Sequence, residues 1–562
     1  MTGLSRSPAG LPAAALIVAG TVLLFLPLLG AGFLSIDDPI HVTGNRHVRE
    51  GITAEGAAWA FTTLHGGSYM PLTWLSHMLD VEWFGLSPRG PHGVNLLLHG
   101  VNGALLFLLL RGMTGAPVRS AVVAVLFAVH PLHVESFAWV SERKDVLCAA
   151  FSLLSLLAWL DYAREPKAGR YALSALLFAA ALLSKPMAVT VPLLMLLLDR
   201  WPPGRKGVPT RLLLLEKAPL FALSAAASIL ALLGQSRAGA LQPFPPSAPA
   251  RAVGTALLSL ATCLRKLLLP VDLAVYYPFR DPATVPSEVA AAAALLAAIS
   301  ALAWRWRVRR PWFAFGWLWF LAACLPVAGF VRVGEAAFAD RYAYLPSVGL
   351  FVAAAWGGGE AAGRLRIPPA AAVAAAILAA ALLGQAARVQ SSAWHDDERL
   401  YRQAVRAVPG NWFALNGLGV ELVRQGRTDE AIACYREALR AAPTYASASS
   451  NLGIALVRKG AYGEAERYLR LSLAVRPENG EALNALGIAL RKRGSLDEAE
   501  RAYREAIRLA PEDRNPRWNL ALLYLAVGRG EESARELVEL LRRRPGDAQA
   551  EALLRELGGG GG

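Results

Sequence analysis

Two adjacent carboxylates, Asp37 and Asp38, stand in the run Ser35-Ile36-Asp37-Asp38-Pro39, directly after the first long apolar stretch. An acid at a hydrocarbon boundary is costly unless it has a task or a partner. Side by side, two acids can supply a general base and a neighbour that orients it; the plain reading is a solvated pair at a helix end. The same segment, about 34–92, brings His41, Asn45, His65, Trp74, His77, Asp80, Trp83 and His92, with Asn95 just beyond. Such a set suits sugar binding, because rings stack on the sugar face and carboxylates accept hydroxyl hydrogen bonds.

A second polar stretch reads His130-Pro131-Leu132-His133-Val134-Glu135, then Ser141-Glu142-Arg143-Lys144-Asp145. His130, His133 and Glu135 could ligate zinc, although the spacing offers no further ligand. Arg143 and Lys144 could anchor a lipid-linked phosphate, or simply snorkel to an interface. A third stretch, Phe338 to Pro346, sets Arg341 and Tyr342 beside Asp340. An aromatic belt accounts for its tyrosines; the Asp-Arg pair is harder to dismiss.

These clusters must be positioned by membrane helices. The 562-residue chain is 55% hydrophobic and only 18% charged, with a mean hydropathy of +0.37, where a soluble domain is charged at about a quarter of its residues. A single soluble domain and a disordered chain are both excluded. The net charge of +14 belongs with cytoplasmic loops and anionic lipid, and nucleic acid is not an expected partner. The four cysteines are scattered without a CxxC, so no disulfide framework or cysteine zinc site is indicated. Apolar stretches between residues 12 and 387 predict about eleven crossings. Basic loops around Arg111, Arg164, Arg205, Arg305 and Arg364 alternate with the others and mark one cytoplasmic side. The stretch 252–270 carries Arg265 and Lys266 and is expected to lie at the interface or to re-enter. The three polar clusters then share the external face, and the C-terminal half emerges there too.

That half has an internal period. Pro409, Pro443, Pro477, Pro511 and Pro545 recur every 34 residues, and Gly426, Gly460, Gly494, Gly528 and Leu418, Leu452, Leu486, Leu520 keep the same step. A 34-residue unit with small residues at a helix crossing and proline at the turn is the tetratricopeptide signature. Four repeats are expected over 412–547, after a linker and half-repeat helix at 395–411 and before a helix end and glycine tail at 548–562. Such arrays bind peptides on a concave face or serve as scaffolds.

The chain resembles the transmembrane and tetratricopeptide-repeat-containing O-mannosyltransferases, in particular their bacterial relatives. The likeness rests on Asp37-Asp38, on Ser68 to Thr73, on Gly85 to Pro88, on Asn95 to His99, on HPLHVESFAWVSERKDVL at 130–147, on Ser184-Lys185-Pro186, on Asp340 to Gly349 and on the repeats. It departs at Met70, where many relatives carry a basic residue or histidine before the proline. The resemblance implies an all-α chain: a polytopic type-C glycosyltransferase-like bundle over 1–394, followed by a tetratricopeptide solenoid. It implies an enzyme that moves a sugar, mannose, from a polyprenyl-phosphate donor to Ser or Thr of exported proteins in a multi-pass plasma membrane, with external repeats holding the acceptor. Asp38 is expected as general base with Asp37 orienting it, and Arg143, Lys144 and Arg341 as holders of the donor phosphate. His130, His133, Glu135, His77, Asn95 and Tyr342 are expected to line the donor and acceptor pocket. The lipid-linked sugar is a substrate, and the sequence leaves a divalent metal open. The rival reading is a non-catalytic membrane-anchored scaffold for envelope protein assembly, which would need no external acids.

Overall fold

The computed structural model describes residues 10–202, 205, 207–242, 249–332, 334 and 336–559. The chain forms two compact units, Met1–Ala407 and Val408–Gly562, both built almost wholly of helices.

Among the described residues, the first unit has six helices long and apolar enough to cross a membrane: Leu11–Gly30, Arg89–Thr114, Val140–Arg164, Thr210–Arg237, Pro286–Trp306 and Pro369–His395. A seventh candidate is the pair Pro117–Val129 and Pro131–Ala138, bent by 54°. Pro131 lacks the N–H that would continue the helix, so the bend falls there. Shorter apolar helices, Ala168–Ser184, Pro186–Leu198 and Pro311–Val327, occupy further positions where crossings were expected. These account for ten of the expected crossings; the remaining one falls on helix Ser347–Arg364, which is in neither group. Helix Pro249–Leu268 is not one of the long apolar helices. Its buried Lys266 holds the chain just past the helix end, donating to the carbonyls of Val271 at 2.7 Å and Asp272 at 2.6 Å. Small residues let the helices close up. Gly316 and Gly349 face each other so tightly that a Cβ on either would strike the other's carbonyl oxygen.

Two loops are joined by a short antiparallel pair, Tyr277–Pro278 with Ala336–Phe338. It leads straight into the turn Asp340–Ala343, which carries Arg341. Helix Asp397–Ala407, expected as half a repeat, is the last helix of the first unit. The reason is local: Asp397 accepts the Ser35 N–H at 2.9 Å, and His395 O accepts the Gly32 N–H at 3.0 Å.

The second unit contains four helix hairpins, beginning with Trp412–Arg424 and Thr428–Ala441 and ending with Arg514–Ala526 and Gly530–Arg543, then a closing helix Ala548–Gly559. Gly426, Gly460, Gly494 and Gly528 all sit at positive φ in the hairpin turns, which explains their period. Leu553, Leu554 and Leu557 of the closing helix pack on Ala521, Leu537 and Leu540, covering the last repeat. Along the first helices of the repeats, Asn451 donates to Asn416 and Asn519 to Asn484, both at 2.9 Å. Val420 is exposed and Ile454, Ile488 and Leu522 are half-buried on the same helices.

Candidate functional site

Asp38 is completely buried, and its carboxylate accepts the Leu34 N–H at 2.7 Å, the Ser141 N–H at 3.0 Å and the Ser141 hydroxyl at 2.5 Å. Burial pushes its carboxyl up to about 6 against the pull of those hydrogen bonds. The bonds pin the turn after the first span to the start of helix Val140–Arg164. The neighbouring side chain, Asp37, then lines a cavity of about 680 Å³. The two members of the pair are thus placed differently: Asp38, expected as the base, is the anchored member, while Asp37 has a face on the cavity.

The same cavity is lined by Glu142, Lys144, Lys185 and Arg341. Glu142 is buried and gathers all three cations: Lys144 Nζ at 3.1 Å, Lys185 Nζ at 3.2 Å and Arg341 Nε at 3.3 Å. Asp145 takes Lys185 Nζ at 2.5 Å, and Glu135 takes the Arg341 guanidinium together with its backbone N–H at 3.0 Å. The lysine side chains are only 13% and 14% exposed and that of Arg341 20%, so their free surface is the cavity. Beside Arg341, burial and the nearby Glu135 charge push the Asp340 carboxyl well above the carboxylate range. Asp340 accepts from the Tyr277 hydroxyl at 2.8 Å, which ties the strand pair to the turn. Val189, Leu232, Leu325, Val327 and Val331 give the cavity an apolar wall.

Lys185 was not among the expected site residues. Its signal in the sequence was a lone lysine between two apolar runs, where it reads as a break; such an ion inside a membrane segment is also a marker of function. Arg143 is the opposite case. It is fully buried, and its guanidinium bonds Asn95 Oδ1, Ser76 Oγ at 2.6 Å, Asp80 Oδ2 at 2.7 Å and Pro91 O at 3.0 Å. It has no face on the cavity, so the expected phosphate role does not hold for it. Burial works against ionisation of Asp80, but His77 and the Arg143 guanidinium keep its carboxyl below the ordinary range. His77 lies buried behind the cavity, Nδ1 3.9 Å from Asp80, and Asn95 is spent on Arg143 and on Trp139 O at 3.1 Å.

The other two expected pocket histidines are also structural. His130 Nε2 contacts Leu267 O at 3.1 Å, and its Nδ1 accepts from Leu132 N. His133 contacts Phe127 O at 2.7 Å and Ser347 Oγ at 3.0 Å. Glu135 holds Arg341. Among the described residues no group of three or more His, Cys, Asp or Glu is arranged to hold a metal, so the zinc reading of these three has no geometric support. Tyr342 and Met70 do line the cavity. The aromatic set of the first loop mostly packs on itself, with Trp59–Trp74 at 5.3 Å and His47–Trp59 at 4.7 Å, while Trp83 is 65% exposed.

Fold and cavity together define a membrane protein with a buried ionic site in its apolar half and a tetratricopeptide array in its second. Residues 85–231 match the dolichyl-phosphate-mannose-protein mannosyltransferase family, and overlapping segments from 383 to 557 match tetratricopeptide repeats. The chain is 39% identical over 144 residues to the Drosophila melanogaster protein O-mannosyl-transferase Tmtc1, covering 25% of this chain and 16% of the relative. It is 37% identical over 145 residues to human protein O-mannosyl-transferase TMTC4, covering 22% and 20%. The matches thus span a fifth or less of these curated relatives. Among solved structures, MamA from Desulfovibrio magneticus RS-1 aligns at 20% identity over 27% of this chain and 85% of its own, with a TM-score of 0.26. The chain is similar to the transmembrane and tetratricopeptide-repeat-containing O-mannosyltransferases, as its motifs implied. Glu142, Lys144 and Lys185 lie inside the matched segment 85–231.

Proposed function

We propose that this chain is a membrane glycosyltransferase that moves a sugar, mannose, from a polyprenyl-phosphate donor to Ser or Thr hydroxyls of exported proteins. The observation that carries this reading is the cavity itself. It joins one accessible acid, three cations fixed on a buried carboxylate and an apolar wall fit for a lipid chain. Asp37 takes the proton of the acceptor hydroxyl as its oxygen forms the new bond to the anomeric carbon. The bond from that carbon to the phosphate oxygen breaks, and its electron pair leaves on the lipid phosphate. Lys144, Lys185 and Arg341 stabilise that charge, and because they are held by Glu142 they need no reorganisation at the moment of reaction. The attack comes from the face opposite the leaving phosphate, so the configuration inverts. The names of the relatives support sugar and acceptor class, and the amide and aliphatic residues along the repeats support a polypeptide partner. The repeats, on this reading, lie on the external side with the cavity mouth.

The test is transfer by the purified chain in lipid vesicles, using radiolabelled polyprenyl-phosphate mannose and Ser/Thr peptides. Wild type should transfer label, and Asp37→Asn should lower the rate about 10²–10⁴-fold at unchanged expression. Equal rates for both would remove Asp37 from the chemistry. No transfer by wild type with any hexosyl donor would overturn the reading as a whole.

A further inference from the structure

His41 lines the cavity, yet no part of the mechanism above uses it. It lies one helical turn after Asp37, with its N–H bonded to Asp37 O at 2.9 Å. The residue is 6% exposed, and its ring packs 5.2 Å from the Trp74 ring. Nδ1 is sealed from solvent and has no hydrogen-bond partner among the described residues. Nε2 is not sealed. It faces the cavity beside Gly66, whose left-handed backbone (φ +60) carries no side chain; a Cβ there would sit 3.8 Å from Nε2. A neutral imidazole has one N–H and one bare nitrogen. With the proton on Nδ1, a dry N–H would lack any acceptor and bear its full desolvation penalty. The proton therefore belongs on Nε2, where it meets the cavity. Burial, with the Lys144 charge adding, holds the imidazole well below its usual pKa and so keeps it neutral.

On the glycosyltransferase reading, the donor phosphate lies at Lys144, Lys185 and Arg341 and the acceptor hydroxyl at Asp37, so the sugar lies between them. We propose that His41 reads the sugar of the lipid donor, its Nε2–H donating a hydrogen bond to one sugar oxygen, with Gly66 keeping that approach open. A ring held by Trp74 and tied at its backbone to Asp37 would then set the sugar's orientation relative to the base.

The experiment is a binding comparison on the full chain in nanodiscs, with two probes: polyprenyl-phosphate mannose and bare polyprenyl phosphate. Wild type should prefer the sugar-bearing lipid. His41→Phe keeps a packed ring but has no donor, and should cut that preference about 5- to 100-fold, the value of one dry hydrogen bond. Its affinity for the bare lipid should stay within about twofold of wild type. His41→Gln, whose amide nitrogen reaches the Nε2 position, should restore most of the preference; His41→Asn, which reaches only Nδ1, should not. Equal loss for both lipids would make His41 a packing residue and overturn the proposal. So would a wild type that binds both lipids equally, or rescue by Asn instead of Gln. Because the readout is binding, a chain that prefers the sugar through His41 but transfers nothing would refute the transferase reading and leave this one standing.

Discussion

The two units use charge in opposite ways. In the first, Glu142 is buried among three cations, and Arg143 is buried among Asn95, Ser76 and Asp80. In the second, many ion pairs lie on the surface: Arg508 and Glu505 meet at 2.6 Å with side chains 67% and 42% exposed. A buried ion must be paired or it is ruinous, whereas an exposed pair is screened and contributes little. The first unit's charges therefore report the positions of particular groups. Those of the second keep a solenoid soluble while its glycines and leucines do the packing.

The comparison would break first at Arg143. Arg143→Ala strands Asp80 in a dry site and should cost about 3–5 kcal/mol, seen as loss of properly inserted protein. Its sequence neighbour should behave differently. Lys144→Gln leaves Glu142 with two cations, so the fold should survive while affinity for bare polyprenyl phosphate drops about 10- to 100-fold. If Arg143→Ala inserts normally and loses donor affinity instead, the two residues have been assigned the wrong way round.

In the repeats the vulnerable points are apolar. A Cβ on Gly487 would lie 2.5 Å from the Tyr503 ring, so Gly487→Ala should cost about 1–3 kcal/mol in thermal unfolding of the second unit. Arg508→Ala should leave the melting temperature unchanged. A large effect at Arg508 with none at Gly487 would mean that surface charge, not close packing, holds the array.

A further effect is a pH dependence at Asp38. Its carboxyl stands at about 6 in the folded chain, against an ordinary value of 3.8. Between those values the folded state binds the extra proton, so this group's contribution favours folding at the acid end. It is lost as pH rises through about 6 and is level above. Melting curves from pH 4 to 8 should show that slope in wild type and a shallower one in Asp38→Asn. Parallel curves would mean that Asp38 is not the group responsible.

Period made the repeat half legible. Gly426 and its counterparts occupy positive-φ turns, and Leu418 and its counterparts fill the hairpin cores, so position and role repeat together. The membrane half was legible in outline, and the three polar clusters did converge on one cavity through Asp37, Glu142 with Lys144, and Arg341. What the sequence left unresolved was which member of each cluster faces that cavity. Asp37 and Asp38 differ in role because Ser141, distant in sequence, binds only the second. Arg143 and Lys144 point apart because Asn95, Ser76 and Asp80 surround one of them. Lys185 gains its task from Glu142 and Asp145, which no spacing rule connects to it.

The single carboxylate of Glu142 also has a bearing on how the molecule is made. Lys144 is synthesised with it, but Lys185 follows 43 residues after Glu142 and Arg341 199 residues after it. Until those segments arrive, Glu142 has only Lys144 of its three cationic partners, and an incompletely compensated ion is costly to bury. The site is thus completed only when the last of its three suppliers has been inserted. A chain stalled or truncated before Arg341 holds an unfinished charge centre, in which Glu142 can meet two cations in place of three.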